Sequence, residues 1–300
     1  MSFKKIKQQS DIIIDSNGKI NISFLWNDLI DLVDENNVVE NKPNLTWEIS
    51  SDSIKHFSNY NEYNQCHLCP KECGFDRVRN VHPTCGDAEL RVSNYGVSFG
   101  DENEIKGTNG SGVIMLSGCP LTCISCHNPE KVATGEIVSS ADFLTICKSL
   151  LESNASNIQI LSPTVHLPKL RVVLSELKKS HFPLPIILKS SGYESISELI
   201  KLKGLVDVYL PDFKFGPCSE WGRKAGVKNY FEIARSVIAE MYDQVGGTQF
   251  DENGLLTRGV LIRHVEAPLA EKEKNELLNF FNSLPNDISI SIQNNFVHLD

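Results

Sequence analysis

No apolar run in this 300-residue chain approaches the ~20 residues that a transmembrane helix needs, so no such helix is expected. The first residues, MSFKKIKQQSDIII, lack the apolar core and small-residue cleavage site of a signal peptide. An excess of positive charge is also missing, since the formal net charge is −9. That balance argues against a nucleic acid or an anionic membrane as the main partner. These absences point by default to a soluble, cytoplasmic protein. In a reducing compartment the nine cysteines serve as thiols or metal ligands rather than as disulfides.

The length suits one large α/β domain with a small appendage. The composition divides the chain into three parts. Residues 1–60 form a polar, Asn- and Asp-rich extension, in which INISFLWNDLIDLVDE (20–35) reads as a short helix. Residues 61–110 form a Cys-rich metal-binding segment, with strand-like pieces and several glycines towards its end.

Residues 111–300 have a different rhythm. Short β-branched, apolar runs begin near 113, 157, 183, 205, 258 and 287. Between them lie helical patterns over 139–153, 168–180, 194–202, 229–247 and 270–284. The first opens on Ser139 with Asp142 three positions on, a capping arrangement. Six strands alternating with helices imply right-handed βαβ units and a parallel sheet. Six are too few for a closed eight-stranded barrel, which leaves a partial (β/α)6 barrel or a doubly wound sheet. In either, a ligand belongs at the C-terminal ends of the strands.

Directly after the first of these strands comes SGCPLTCISCHN, with Cys119, Cys123 and Cys126 at spacing C-x3-C-x2-C. A closed structural zinc site wants four ligands, and this loop offers three thiolates. Three cysteines on a 4Fe–4S cluster leave one iron open. The competing reading is zinc, completed by His127 or a distant ligand. Upstream, CHLCPKECGFDRVRNVHPTCG carries Cys66, Cys69, Cys73 and Cys85, a full set for zinc or a second iron–sulfur cluster. His67 and His82 stand by as substitutes. Cys147 reads as a core residue of its helix, and Cys218 as a loop thiol.

The triad and its place after strand one resemble the signature of the radical S-adenosylmethionine (SAM) superfamily. Five further stretches sharpen this: CHLCPKECGFDRVRN, NIQILSPTVHLPKL, SGYESISELIKLKGLVDVYLPDFKFG, GVLIRHVEAP and the glycine-flanked GTNGSGVIMLSG. Together they resemble the pyruvate formate-lyase activating enzyme-like subgroup, over most of residues 63–265. The resemblance implies a 4Fe–4S cluster on Cys119, Cys123 and Cys126, with SAM as co-substrate. It implies an electron donor such as flavodoxin or ferredoxin, and a glycyl-radical enzyme as protein substrate. By the same resemblance Ser162 and Thr164 would meet the methionine end of SAM. Ser190 and Ser191 would meet its ribose or carboxylate, with Asp212, Lys214, Arg263 and His264 on the same face. His166 is a further candidate there. The chain departs from the subgroup at Ser125, where an aromatic is usual, and at Ser162-Pro163-Thr164, where Gly-Gly-Glu is. A small-molecule or peptide substrate, or a non-catalytic iron–sulfur protein, are the alternatives those departures raise.

Overall fold

The computed structural model describes residues 12–14, 20–22, 47, 57, 61–124, 126, 135–265 and 269–293. Strands β1 (Ile12–Ile14) and β2 (Ile20–Ile22) pair antiparallel. The helix expected over 20–35 therefore does not begin where it should. The branched Cβ of isoleucine favours the pleated strand over a helical turn. Residues 23–35 lie outside the described ones.

The main sheet is built from β3 (Arg91–Ser98), β4 (Ser111–Leu116), β5 (Glu136–Ile137), β6 (Ile158–Leu161), β7 (Ile186–Ser190), β8 (Val208–Pro211), β9 (Gln249–Phe250), β10 (Leu256–Val265) and β11 (Ser289–Gln293). Its order is β11-β10-β8-β7-β6-β4-β3-β5, with β9 paired to β10. From β4 to β11 the neighbours on this path are parallel and follow one another in chain order. A doubly wound sheet reverses direction partway. This one does not, so it has the singly wound arrangement of a TIM-like fold. The structure adds β3 and β5, which extend the β4 edge antiparallel. The Cys-rich segment is thus woven into the sheet through β3.

Helices α1 (Asn61–Asn64) and α2 (Asn103–Lys106) precede the repeat. It then carries α3 (Ser140–Glu152), α4 (Leu167–Lys179), α5 (Ile196–Ile200), α6 (Glu220–Lys224), α7 (Tyr230–Val245) and α8 (Glu271–Ser283). The expected capping box forms: Asp142 N donates to Ser139 Oγ at 3.2 Å, and Ser139 N to Asp142 Oδ2 at 2.9 Å. The longer helices bury one face against the sheet. In α4 that face is Leu167, Leu170, Leu174 and Leu177, all fully buried at helical spacing. Each contributes roughly 1.5–3 kcal/mol of transfer free energy.

Alternation along the strands separates two faces. Ile114, Leu116, Ile158, Ile160, Leu188, Tyr209, Val260 and Ile262 join the helix-side core. The opposite face carries Val113, Met115 and Leu161, and beside them Ile187, Val208, Leu210 and Leu261. The N-terminal end of this inner face is filled by the β3–β4 connection. Ile105 of α2 packs among Ile187, Val208 and Leu261. Asn157 Nδ2 donates to Ile105 O at 2.6 Å, and Ser156 Oγ to Lys106 O at 3.0 Å. From the same connection Asp101 reaches up to Lys189, Nζ to Oδ1 3.1 Å, both side chains buried. The C-terminal end carries the loops that follow β4, β6, β7 and β8.

Candidate active site

The residues after β4, β6, β7 and β8, and those ending β10, meet at that end. Gly118 opens the cysteine loop with φ +87°, a conformation glycine adopts freely. An added Cβ would lie 2.7 Å from Cys85 O and 3.0 Å from Val165 Cγ2. Gly118→Ala is therefore expected to cost about 2 kcal/mol, combining left-handed strain with a clash against backbone. Chemical unfolding measures this, and a loss below ~0.5 kcal/mol would contradict the close packing drawn here. Cys119 N donates to Thr84 O at 3.0 Å, and Thr122 N to Ala225 O at 3.1 Å. The loop is thus fixed on one side by the Cys-rich segment and on the other by the turn after α6.

Cys119, Cys123 and Cys126 are half-buried. Burial pushes the Cys119 thiol up to about 12, with the Leu121 amide and the Lys214 ammonium pulling the other way. Cys123 is raised by burial too, again against the pull of Lys214. Lys214 Nζ lies 2.6 Å from Asp212 Oδ2, and Asp212 Oδ1 lies 3.9 Å from Arg263 Nε. Burial alone would raise the Asp212 carboxyl, but Lys214, Arg263 and Lys189 outweigh it and hold it below the usual range. For Lys214, burial is outweighed by Asp212 and Cys123, and the ammonium is held above the ordinary lysine value. The electrostatic reach of Lys214 to Cys119 and Cys123 brings the β8 loop and the triad together.

Among the described residues, no three His, Cys, Asp or Glu side chains are gathered into a ready-made site for a metal ion. The donor chemistry nevertheless fits a soft metal or an iron–sulfur cluster: three thiols on one loop, with a lysine near enough to offset anionic charge. Metal binding supplies the deprotonation that burial opposes.

Thr164 and Ser190 do not present free hydroxyls. Both donate to Glu194, Thr164 Oγ1 to Oε1 at 2.7 Å and Ser190 Oγ to Oε2 at 3.1 Å. Glu194, fully buried, precedes α5 rather than belonging to it, and the sequence reading missed its role. Its one signal is position, a carboxylate just past an apolar strand with a glycine between. Burial raises its pKa from 4.5 to about 7, the Thr164 and Ser190 bonds opposing. A carboxyl raised on folding adds stability that is complete below its unfolded pKa and is lost as pH climbs through the folded one. The span from 4.5 to about 7 is worth about 3 kcal/mol. Glu194→Gln is thus expected to gain up to about 3 kcal/mol at pH 8 and nothing near pH 4. Unfolding titrations at both pH values check this, and equal effects at the two would refute it.

The remaining candidates fall on different sides. Ser191 Oγ is buried with no hydrogen-bond partner among the described residues. Ser162 holds φ +57° at the turn after β6. The Tyr230 hydroxyl of α7 lies 2.7 Å from both Ser191 O and Asp212 O, and it accepts from Lys214 N at 2.9 Å. That residue, also missed from sequence, ties the β7 and β8 ends together. His264 sits on the helix-side face, its Nδ1 2.6 Å from Phe213 O and its ring edge-on to Phe281. Strand alternation puts it opposite Arg263, so the pair does not act on one site. His166 is buried beneath the loop with Nε2 2.6 Å from Ser117 O. Burial and the nearby Arg77 charge depress it to about 3, so it stays neutral. Ser125 and His127 lie outside the described residues.

Cys66, Cys69 and Cys85 are buried and Cys73 is exposed. Burial lifts Cys69 to about 12, and Cys85, Cys66 and Cys73, each within electrostatic reach of it, add to the rise. His67 is exposed. His82 Nδ1 accepts from the Thr84 and Cys85 amides and so holds the loop rather than standing free. Cys147 is fully buried in the core, as its helical position predicts, and Cys218 is exposed. No helix among the described residues is long and apolar enough to cross a membrane.

No family model matches the chain. It is 29% identical over 188 residues to an uncharacterized protein of Methanocaldococcus jannaschii, an alignment covering 58% of this chain and 53% of that one. It is 27% identical over 120 residues to a Haemophilus influenzae protein named "Putative glycyl-radical enzyme activating enzyme", covering 37% of this chain and 44% of the other. The chain thus spans about half the length of these curated relatives.

Proposed function

We propose that the chain is a radical SAM enzyme. One observation carries the reading: the three-cysteine loop follows the first of the sequential parallel strands and lies within electrostatic reach of Lys214. The name of the Haemophilus influenzae relative supports it. Cys119, Cys123 and Cys126 would hold a 4Fe–4S cluster through three irons. Such a cluster, reduced by a flavodoxin or ferredoxin, supplies the electron that splits SAM into methionine and a hydrogen-abstracting 5′-deoxyadenosyl radical.

The residues of the chain bind and orient. Lys214 and Arg263 offer cations to the SAM carboxylate, and Asp212 offers an anion to its amino group. Ser162 and the buried, unpartnered Ser191 hydroxyl offer polar contacts to its methionine or ribose portion. Thr164 and Ser190 act through Glu194, which fixes the β6 and β7 ends relative to each other. His264 has no part, because it faces the helices. The substrate favoured by the relative's name is a glycyl-radical enzyme, from whose glycine the hydrogen would be taken.

The test is anaerobic reconstitution with iron and sulfide. Adding SAM should change the EPR signal of the reduced cluster, and dithionite with SAM should yield 5′-deoxyadenosine. A spectrum indifferent to SAM, with no 5′-deoxyadenosine, would defeat the reading. Deuterium passing from a glycine-labelled partner into 5′-deoxyadenosine would identify the substrate.

A further inference from the structure

Thr122 brings the cysteine loop to the surface. It is exposed and directly precedes Cys123, while Pro120 and Leu121 before it are buried. Its amide is the one held by Ala225 O, just past α6. Beside it sits Gly226, also exposed. A Cβ placed on Gly226 would lie 3.4 Å from Thr122 Oγ1 and 3.5 Å from Lys71 Nζ. Three stretches far apart in the chain therefore converge on one exposed spot: the Cys-rich segment, the cysteine loop and the turn after α6. The charge at that spot is mostly of one sign. Lys71, Arg223, Lys224 and Lys228 are all exposed there, against the carboxylates of Glu72 and Glu220. Glu220 is taken by Lys224, Nζ to Oε1 3.0 Å, and lies within reach of Arg223. Lys71 and Lys228 form no ion pair among the described residues. On a chain with a net charge of −9, this is a local reversal of sign.

Solvated surface lysines are ordinary, but their place here is not. A radical SAM enzyme needs an electron delivered to the cluster on Cys119, Cys123 and Cys126. Tunnelling weakens steeply with distance, so a carrier protein must dock where the loop meets the surface. Thr122 is that place, one peptide bond from Cys123. We propose that the surface formed by Lys71, Thr122, Arg223, Lys224 and Lys228 is the docking site of a small acidic one-electron carrier protein, of the flavodoxin or ferredoxin class. Carboxylates of the carrier meet these cations, which speed the encounter and fix its orientation. One electron leaves the reduced carrier and one enters the cluster, and no bond is made or broken. Docking here rests on the radical SAM reading, since it delivers the electron that such an enzyme uses.

The test uses the full chain, anaerobically reconstituted, with photoreduced flavodoxin as the carrier. Stopped-flow absorbance follows reduction of the cluster, and rates are compared per loaded cluster. At low ionic strength, Lys71→Glu combined with Lys228→Glu should slow reduction about fivefold or more. The deficit should close as salt rises to ~0.5 M. The control is Lys179→Glu combined with Lys203→Glu, the same change of charge where α4 ends and before β8 begins, at the opposite end of the sheet. It should stay within about twofold of the parent. Both variants should match the parent in 5′-deoxyadenosine formed with excess dithionite, which needs no docking. A Lys71, Lys228 variant within twofold of the parent at low salt, or a control equally slow, would overturn the docking site. So would a parent that makes 5′-deoxyadenosine with dithionite yet takes no electron from flavodoxin or from a ferredoxin. No 5′-deoxyadenosine from the parent even with dithionite would instead defeat the radical SAM reading, and the docking site with it.

Discussion

On the proposed radical SAM reading, Cys123→Ala is expected to abolish 5′-deoxyadenosine formation, with a fall of at least ~10³-fold to the uncatalysed background. Cys123 is the middle cysteine of the loop, it packs against the helix-side core, and it lies within the field of Lys214 and Cys126. A cluster held by three thiolates has no spare ligand in the loop, so removal of one leaves two, too few to seat it. The fold should tolerate the change, because Cys123 is half-buried and lies in a loop, in no helix or strand. The measurement is single-turnover product analysis by mass spectrometry, with iron counted in the same sample. Iron should fall by one cluster. Product formation above a tenth of wild type would remove Cys123 from the chemistry.

Asp212→Asn is expected to cost about 2 kcal/mol of folding stability at pH 7. The carboxylate faces Lys214 at 2.6 Å and Arg263 at 3.9 Å, with Lys189 also within reach. Its neutralisation takes the carboxylate away from Lys214 and Arg263, while Lys189 keeps Asp101. Full burial of such a pair would cost more when broken, but the Asp212 and Lys214 side chains keep 23% and 27% exposure, so water screens part of it. The pH dependence has a definite sign. A carboxyl held below its ordinary pKa adds stability that is present above the unfolded value, ~3.9, and is lost as pH falls through the lowered one. The difference between wild type and Asp212→Asn should therefore shrink as pH falls below the unfolded value and through the lowered one. Lys214→Met combined with Asp212→Asn should restore part of the loss, since it removes the unmatched cation. A double variant as unstable as the sum of the two singles would separate the residues energetically.

Much of this arrangement is legible in the sequence. A buried parallel strand is written as a short, continuous apolar run, and each of the six such runs became a strand within a few residues of its expected place. Ser139 with Asp142 marks the start of α3 because the capping box is a local pattern. The triad declares itself by spacing. Glu194, Arg77 and Tyr230 do not, for a common reason. Each acts by being buried against backbone or hydroxyl groups far away in the chain, such as Arg77 on Val165 O and Tyr230 on Ser191 O. No local spacing encodes such a contact. The wrong placement of His264 has a different origin. Arg263 and His264 are adjacent and alike in charge class, but strand pleating sends them to opposite faces, and only the register shows which faces the site. At Ile20–Ile22 a strand stands where the helix expected over 20–35 was to begin, because the branched isoleucines favour the pleated backbone; the rest of that range lies outside the described residues.

The sequential order of the parallel strands also bears on how the protein comes into being. As the chain leaves the ribosome, each new parallel strand after β4 finds its neighbour already made, since pairing runs β4-β6-β7-β8-β10-β11 without a jump. No strand must wait for a distant one, which keeps loop-closure costs small at every step. The growing sheet always offers one fresh edge, and the next strand caps it. Docking of the cysteine loop on Thr84 and Cys85 links two segments emitted early, so that side of the site can be assembled before the β8 and β10 ends arrive. Synthesis halted after β7 would leave an intact cysteine pairing and an open edge, with Lys214 and Arg263 still to come.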